Sequence, residues 1–200
     1  MPDDKEARNV SRRTVLASAA LVPVAAIAAA TEPATSVFSA SQRRILDAFV
    51  DRLIPRDENG PSASECGVPN YIERALAGPL AGAKSTLVEG LSAVDGYART
   101  AHKQAFAELA SEQKDAVLTA MESNAVSGFQ PDSRSFFNQV RRLTLEGMFS
   151  DPFYGGNKNF GGWDLIRYPG PRMAASPDDQ KIRVPIKPVR TSARGGGHGN

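Results

Sequence analysis

Apolar residues recur at helical spacing through most of the chain between residues 38 and 149. The first segment carries five of them on one helical face: Ile45, Leu46, Phe49, Val50 and Leu53. Ser39 followed three residues later by Gln42 is a capping-box pattern, which marks a helix N-terminus. Because Pro55 disfavours helix in the residue before it, we predict a first helix from about Ala40 to Ile54.

The same spacing predicts four further helices. The second begins near Val68 and ends before Gly78, a residue typical of helix C-termini. The third is the longest, and we expect its glycines to mark close packing or a bend, because glycine is a poor helix former. These glycines are Gly82, Gly90 and Gly96.

Small polar residues predict where the last two helices start. Ser111 is a plausible N-cap for the fourth helix and Asp132 for the fifth, which runs on to Phe149. No segment alternates apolar and polar residues for a useful length, so strands should be absent or incidental. We therefore predict a mostly α fold, with residues 38–170 forming a single domain of about five helices.

Residues 148–170 break this pattern because they combine paired glycines, prolines and aromatic rings. Glycine and proline exclude a continuous helix, so we predict a long loop. Its rings would bury large areas on any surface they meet. We expect Phe149 and Phe153 to point inward, and Tyr154, Trp163 and Tyr168 to contribute to a contact with a partner. The alternative is that these rings close the core of the domain itself.

The N-terminus has the layout of a twin-arginine export signal. Arg12 and Arg13 follow a polar segment and precede a weakly apolar run that ends in an Ala-x-Ala site at residues 28–30. A membrane anchor is the alternative, but the run is shorter than the roughly 20 residues that a spanning helix needs. We therefore assign residues 1–30 to the signal and residues 31–37 to a linker.

Residues 171–200 form a basic tail rich in proline and glycine. Such a composition is typical of a flexible end. The alternative is an extended arm that lies along a partner or an anionic lipid surface, because apolar and basic residues alternate near Ile186.

Composition argues against several functions. The chain has 24 Lys and Arg against 22 Asp and Glu, and its net charge of +2 offers no field for gathering nucleic acid. Cys66 is the only cysteine, so no intrachain disulfide and no Cys-x-x-Cys-His haem attachment can form, and we expect it to be a small packed residue. Two histidines, His102 and His198, offer few of the ligands that zinc and copper favour. We find no nucleotide-binding or nucleophile motif, and we predict no catalytic, cofactor-binding or metal-binding residue in this chain.

Two motifs nevertheless resemble a known family. The first is Ser150-Asp151-Pro152-x-Tyr154-Gly155-Gly156-Asn157, followed by Gly162-Trp163-x-Leu165-Ile166-x-Tyr168-Pro169-Gly170. The second lies upstream and runs from Leu53-Ile54-Pro55-Arg56-Asp57 through Gly60-Pro61-x-Ala63 to Gly67-Val68. Together they resemble the gluconate 2-dehydrogenase subunit 3 family, over roughly residues 38–170.

The resemblance implies the small, non-catalytic subunit of a membrane-associated flavoprotein dehydrogenase that acts on sugars or sugar acids. The implied partner is a large FAD-dependent subunit of the glucose-methanol-choline (GMC) type, commonly with a multihaem cytochrome c, so that FAD and haem c belong to partner subunits. Because the flavin subunit of such complexes often has no export signal, the small subunit would bring it to the twin-arginine translocon and support its folding. The complex would then be periplasmic and peripheral to the inner membrane.

The partner interface is expected in the first motif, at Asp151, Tyr154, Gly155, Gly156, Asn157, Trp163 and Tyr168. A hypothesis of a different class is a stand-alone periplasmic domain that binds or converts a small molecule at the loop from Tyr154 to Trp163.

Overall fold

The computed structural model describes residues 36–172, 174, 176–182 and 185–194. The helices of this part of the chain are α1 (Ala40–Leu53), α2 (Val68–Ala77), α3 (Lys84–His102), α4 (Ser111–Glu122), α5 (Ser133–Phe149) and α6 (Gly161–Leu165). Short 3-10 turns join them, and the described ranges contain no strand. The mostly α fold is therefore confirmed. The export signal predicted for residues 1–30, with Arg12 and Arg13, lies outside the described residues.

Side-chain caps set the N-termini of α1 and α5, as the sequence predicts, whereas the predicted cap of α4 is misplaced. The Ser39 hydroxyl accepts a hydrogen bond from the Gln42 backbone N–H, and the Gln42 side chain accepts one from the Ser39 N–H. Asp132 likewise caps α5 by accepting from the Ser135 N–H at 2.9 Å. The prediction for Ser111 is wrong by one residue. Ala110 is the N-cap of α4, and its N–H donates to the Gln113 side chain. Ser111 is therefore the first residue of the helix, which begins one residue earlier than predicted.

Helix α5 forms the centre of the fold. It packs against α1, α2 and α4, while α1 also packs against α3. Phe49 of α1 is fully buried, and its ring centroid lies 6.0–6.4 Å from those of three other phenylalanines: Phe106, Phe136 and Phe137. This aromatic cluster joins α1, α5 and the 3-10 turn Phe106–Glu108 into one core.

Among the three glycines of the third helical segment, only Gly90 marks a close approach. A Cβ atom there would lie 2.0 Å from the Phe136 ring, which is itself buried between Phe49 and Phe129. At Gly82 and Gly96 nothing lies within 4 Å of such an atom. The prediction of close packing therefore holds for one of the three.

A pair of substitutions in α3 separates packing from helix propensity. We expect Gly90→Ala to lower the free energy of unfolding by about 1–3 kcal/mol, because the Phe136 ring has no free space to enter. Gly96→Ala, in the same helix, should raise it by up to about 1 kcal/mol, because alanine is the better helix former and the site is open. Urea unfolding followed by far-UV circular dichroism measures both. Equal effects at the two positions would contradict the assigned packing.

Candidate functional site

The segment that follows α5 folds as a series of tight turns. We call residues 150–170 the signature loop. It contains the 3-10 turns Pro152–Tyr154 and Lys158–Phe160, and then α6. Left-handed residues lie between the turns, with φ of +98° at Gly155 and +47° at Asn157, and within the second turn, with φ of +56° at Asn159. The prediction that no continuous helix crosses this segment is confirmed.

Asn157 ties the two ends of this loop together. Its side chain is fully buried. The amide nitrogen donates to the Ser150 carbonyl at 2.8 Å, while the amide oxygen accepts from the N–H groups of Gly162 at 2.9 Å and Trp163 at 3.4 Å. One side chain therefore satisfies buried backbone groups on both sides of the loop.

Two glycines let the loop backbone touch the end of α5. A Cβ atom at Gly156 would lie 2.1 Å from the Gly147 carbonyl oxygen, and one at Gly162 would lie 1.8 Å from that of Met148. These are backbone atoms of a central helix and cannot move aside. Positions 156 and 162 therefore require glycine for close approach.

The second motif of the sequence packs directly under the signature loop. The Lys158 N–H donates to the Cys66 carbonyl at 2.9 Å, and a Cβ atom at Gly161 would lie 2.8 Å from the Cys66 sulfur. Cys66 is buried, as expected of a packed residue. Burial, with a smaller contribution from the charge of Glu65, raises the pKa of its thiol to about 11. Cys66 is therefore held as the neutral thiol and fills space beneath the loop.

The sequence predicts only in part which aromatic rings of the loop are buried and which are exposed. Phe149 packs against the core and Tyr154 and Tyr168 lie at the surface, as expected. Phe153 and Trp163 are interchanged relative to the prediction, since Phe153 is 48% exposed and Trp163 only 4%.

The burial of Trp163 has a specific cause. Its indole N–H donates to the Phe149 carbonyl at 3.0 Å, one of the last carbonyls of α5. Its ring packs against Phe160 at 5.3 Å and against Tyr168 at 4.9 Å, measured between centroids. The tryptophan thus closes the domain against the helix end and is not itself a surface ring.

Phe153 and Tyr154 form an exposed ring pair. Their centroids lie 5.4 Å apart in an edge-to-face arrangement. Asp151 caps their 3-10 turn by accepting from the Phe153 N–H, and Arg74 of α2 donates to the Phe153 carbonyl at 3.3 Å. The backbone under these rings is therefore fixed although the rings themselves face solvent.

The carboxylates of the loop bind the C-terminal segment of the chain. We call residues 185–194 the C-terminal arm. Asp151 accepts from the Ala193 N–H at 2.8 Å, and Asp164 pairs with Arg190. Burial alone would raise the pKa of Asp151, but hydrogen bonds from Ser192, Phe153 and Ala193, and the charge of Arg194, hold this pKa below its usual value. The flexibility predicted for residues 171–200 stays a prediction.

The seven residues expected at the interface therefore fall into three groups. Tyr154 and Tyr168 are exposed, and Asp151 and Gly155 are half-buried. Three others are buried within the chain: Gly156, Asn157 and Trp163. In the isolated chain these three hold the loop from within, and the partner interface itself stays a prediction.

The sequence pattern does not predict the exposure of two apolar residues of the loop, Phe153 and Ile166. The position of Phe153 between a capping Asp-Pro and Tyr154 could have indicated a turn whose rings lie outside the core. For Ile166 we see no such signal in the sequence.

Two observations bear on chemistry and membrane contact. Within the described ranges, no three His, Cys, Asp or Glu side chains come together in the manner of metal ligands. None of the helices in the same ranges combines the length and the apolar character needed to cross a bilayer.

The sequence profile of the family described as gluconate 2-dehydrogenase subunit 3 matches residues 40–170, which agrees with the range of the resemblance. No curated protein and no solved structure matches the chain.

Replacing Asn157 tests its role in closing the loop. We expect Asn157→Ala to lower the free energy of unfolding by about 2–4 kcal/mol beyond the cost of a left-handed alanine, because buried groups at Ser150 and Gly162 lose their partners. Asn159→Ala is the matched control, since Asn159 is also left-handed but exposed. Chemical unfolding of both variants gives the difference, and similar losses would argue against the hydrogen bonds of Asn157.

Proposed function

The chain belongs to the gluconate 2-dehydrogenase subunit 3 family, and from this membership we propose that it is the non-catalytic small subunit of a periplasmic flavin-dependent dehydrogenase complex. The family description names its members as one subunit of a dehydrogenase that has others. In our proposal the principal partner is a large FAD-containing subunit of the GMC type, with a multihaem cytochrome c in complexes that include one. FAD and substrate belong to that partner, and this chain contributes docking and export.

The observation that carries this proposal is the contrast between the buried and the exposed side chains of the signature loop. The buried side chain of Asn157 makes its hydrogen bonds within the loop, whereas Phe153 and Tyr154 are 48% and 40% exposed. Neighbouring exposed rings on a fixed backbone are typical of protein interfaces, because aromatic side chains provide most of the contact energy there.

The proposed contact surface includes Phe153, Tyr154 and Tyr168, together with the half-buried Asp151 and Gly155. The residues buried beneath them act indirectly by fixing the loop. A surface whose backbone is already ordered loses less entropy on association than a mobile loop would, which favours a long-lived complex.

The proposal also assigns a task to the N-terminus. The twin-arginine pattern at Arg12 and Arg13 would direct the folded subunit, with its flavoprotein partner bound, to the twin-arginine translocon. This arrangement accounts for an export signal suited to folded cargo on a chain in which we identify no cofactor motif. The assembled complex would be attached to the inner membrane through its other subunits.

Removing the exposed rings should weaken the complex. We expect the double variant Phe153→Ala/Tyr154→Ala to raise the Kd for the flavoprotein subunit about 30-fold or more, which corresponds to about 2 kcal/mol for loss of an interface hot spot. Isothermal titration calorimetry measures this change, with circular dichroism to check the fold.

The control for this experiment is Ile182→Ala, which removes an exposed apolar side chain outside the signature loop. Unchanged affinity in the double variant would remove the ring pair from the interface. Dehydrogenase turnover by the purified lone chain would instead support a stand-alone enzymatic domain.

Export should depend on the paired arginines. We expect Arg12→Lys/Arg13→Lys to leave both this chain and the flavoprotein in the cytoplasm, because the translocon reads the arginine pair. Arg8→Lys, outside the pair, is the matched control. Flavoprotein activity in the periplasmic fraction reports the result, and normal export of the partner would refute the proposed route.

A further inference from the structure

The C-terminal arm lies across the signature loop, from its last residues to its first turn. The Val189 N–H donates to the Pro169 carbonyl at 2.7 Å, and four residues later the Ala193 N–H donates to Asp151 at 2.8 Å. The arm therefore contacts both ends of the loop through backbone N–H groups.

Two arginines of the arm add charged contacts. Arg190 pairs with Asp164, and its guanidinium lies 6.0 Å from the centre of the Phe160 ring. The guanidinium of Arg194 lies 5.4 Å from the centre of the Tyr154 ring. One of the exposed rings proposed to meet the partner is therefore already in contact with this chain's own arm.

A glycine at the end of the loop allows the backbone of the arm to approach closely. Gly170 has a φ of +89°, and a Cβ atom there would lie 2.1 Å from the Val189 carbonyl oxygen. Arg172 also donates to the Lys187 carbonyl and pairs with Asp179. The contact thus combines a glycine that permits close approach with backbone hydrogen bonds and charge pairing.

We propose that the C-terminal arm is a displaceable cover of the signature loop, which shields Asp151, Tyr154 and Asp164 in the lone subunit and gives way to the flavoprotein partner. This inference rests on the proposed function, because it concerns the same surface. It assigns a purpose to two basic residues of the arm: Arg190 pairs with Asp164, and Arg194 lies over the Tyr154 ring, until the partner binds.

The contacts between the C-terminal arm and the signature loop are of a kind that a partner can displace. Residues 185–188 are exposed, Ile186 among them, and no residue of the arm is fully buried, since Val189, Arg190 and Ser192 are half-buried. Ion pairs and cation–π contacts at a surface are weak and are screened by salt. If the arm is closed in nine of ten molecules, the apparent affinity for a competing partner falls about tenfold.

Amide hydrogen exchange in the lone full-length chain tests the closed state. We expect the Val189 and Ala193 N–H groups to exchange about tenfold more slowly than in the variant Arg190→Ala/Arg194→Ala, because a ninefold excess of the closed state protects them. Lys187→Ala is the control: it also removes a positive charge from the arm, but the contact of Lys187 is made by its backbone carbonyl. Unprotected amides in the unsubstituted chain would overturn the proposal.

Binding of the flavoprotein subunit tests displacement. We expect the double arginine variant to bind it up to about tenfold more tightly than the unsubstituted chain, with Lys187→Ala unchanged, and we expect protection at Val189 and Ala193 to be lost in the complex. Weaker binding by the double variant, or protection that persists in the complex, would show that the arm belongs to the assembled interface and would overturn the proposal.

The two proposals fail in distinguishable ways. If the unsubstituted chain and the double variant both fail to bind the flavoprotein, the proposed function is wrong and displacement by that partner is wrong with it. The exchange rates of the lone chain would still decide whether the arm closes over the loop.

Discussion

The buried amide of Asn157 is the interaction on which the rest of the site depends. It bonds to the Ser150 carbonyl on one side of the loop and to the Gly162 and Trp163 N–H groups on the other. Each of these backbone groups would cost about 1–3 kcal/mol if it were left buried without a partner. Because one side chain satisfies them together, the loop can leave the end of α5, turn several times and return to the same helix end.

The return of the loop couples it to the core. Gly156 and Gly162 touch the carbonyls of Gly147 and Met148, and Trp163 donates to the carbonyl of Phe149. These three carbonyls belong to the last turn of α5, which is the helix at the centre of the fold. The loop therefore acts as an elaborate C-terminal cap, and disturbing it should also disturb the packing of α5 against α2.

The sequence predicts most of the helical body because the signals there are local. Apolar spacing and the caps at Ser39 and Asp132 depend on residues within one or two turns, and the structure agrees with them. At Ser111 the predicted cap is one residue late: Ala110 is the N-cap, and its N–H donates to the Gln113 side chain. The exposure of Phe153 and the burial of Trp163 could not be predicted in this way. Both depend on the path of the loop, which is set by close contacts between its glycines and a helix end.

This arrangement has a consequence for how the loop can bind another protein. A loop with unpaired amides would lose water from polar groups on association, and that loss opposes binding. Here the side chain of Asn157 and the indole N–H of Trp163 are already paired within the chain. The Phe153 and Tyr154 rings are partly exposed, and the Tyr154 ring contacts Phe153 and Arg194 of the arm. Association through these rings would then remove apolar surface from water without leaving the Asn157 amide or the Trp163 indole N–H unpaired. The same internal pairing that stabilises the loop in the isolated subunit therefore makes it a favourable surface for a partner.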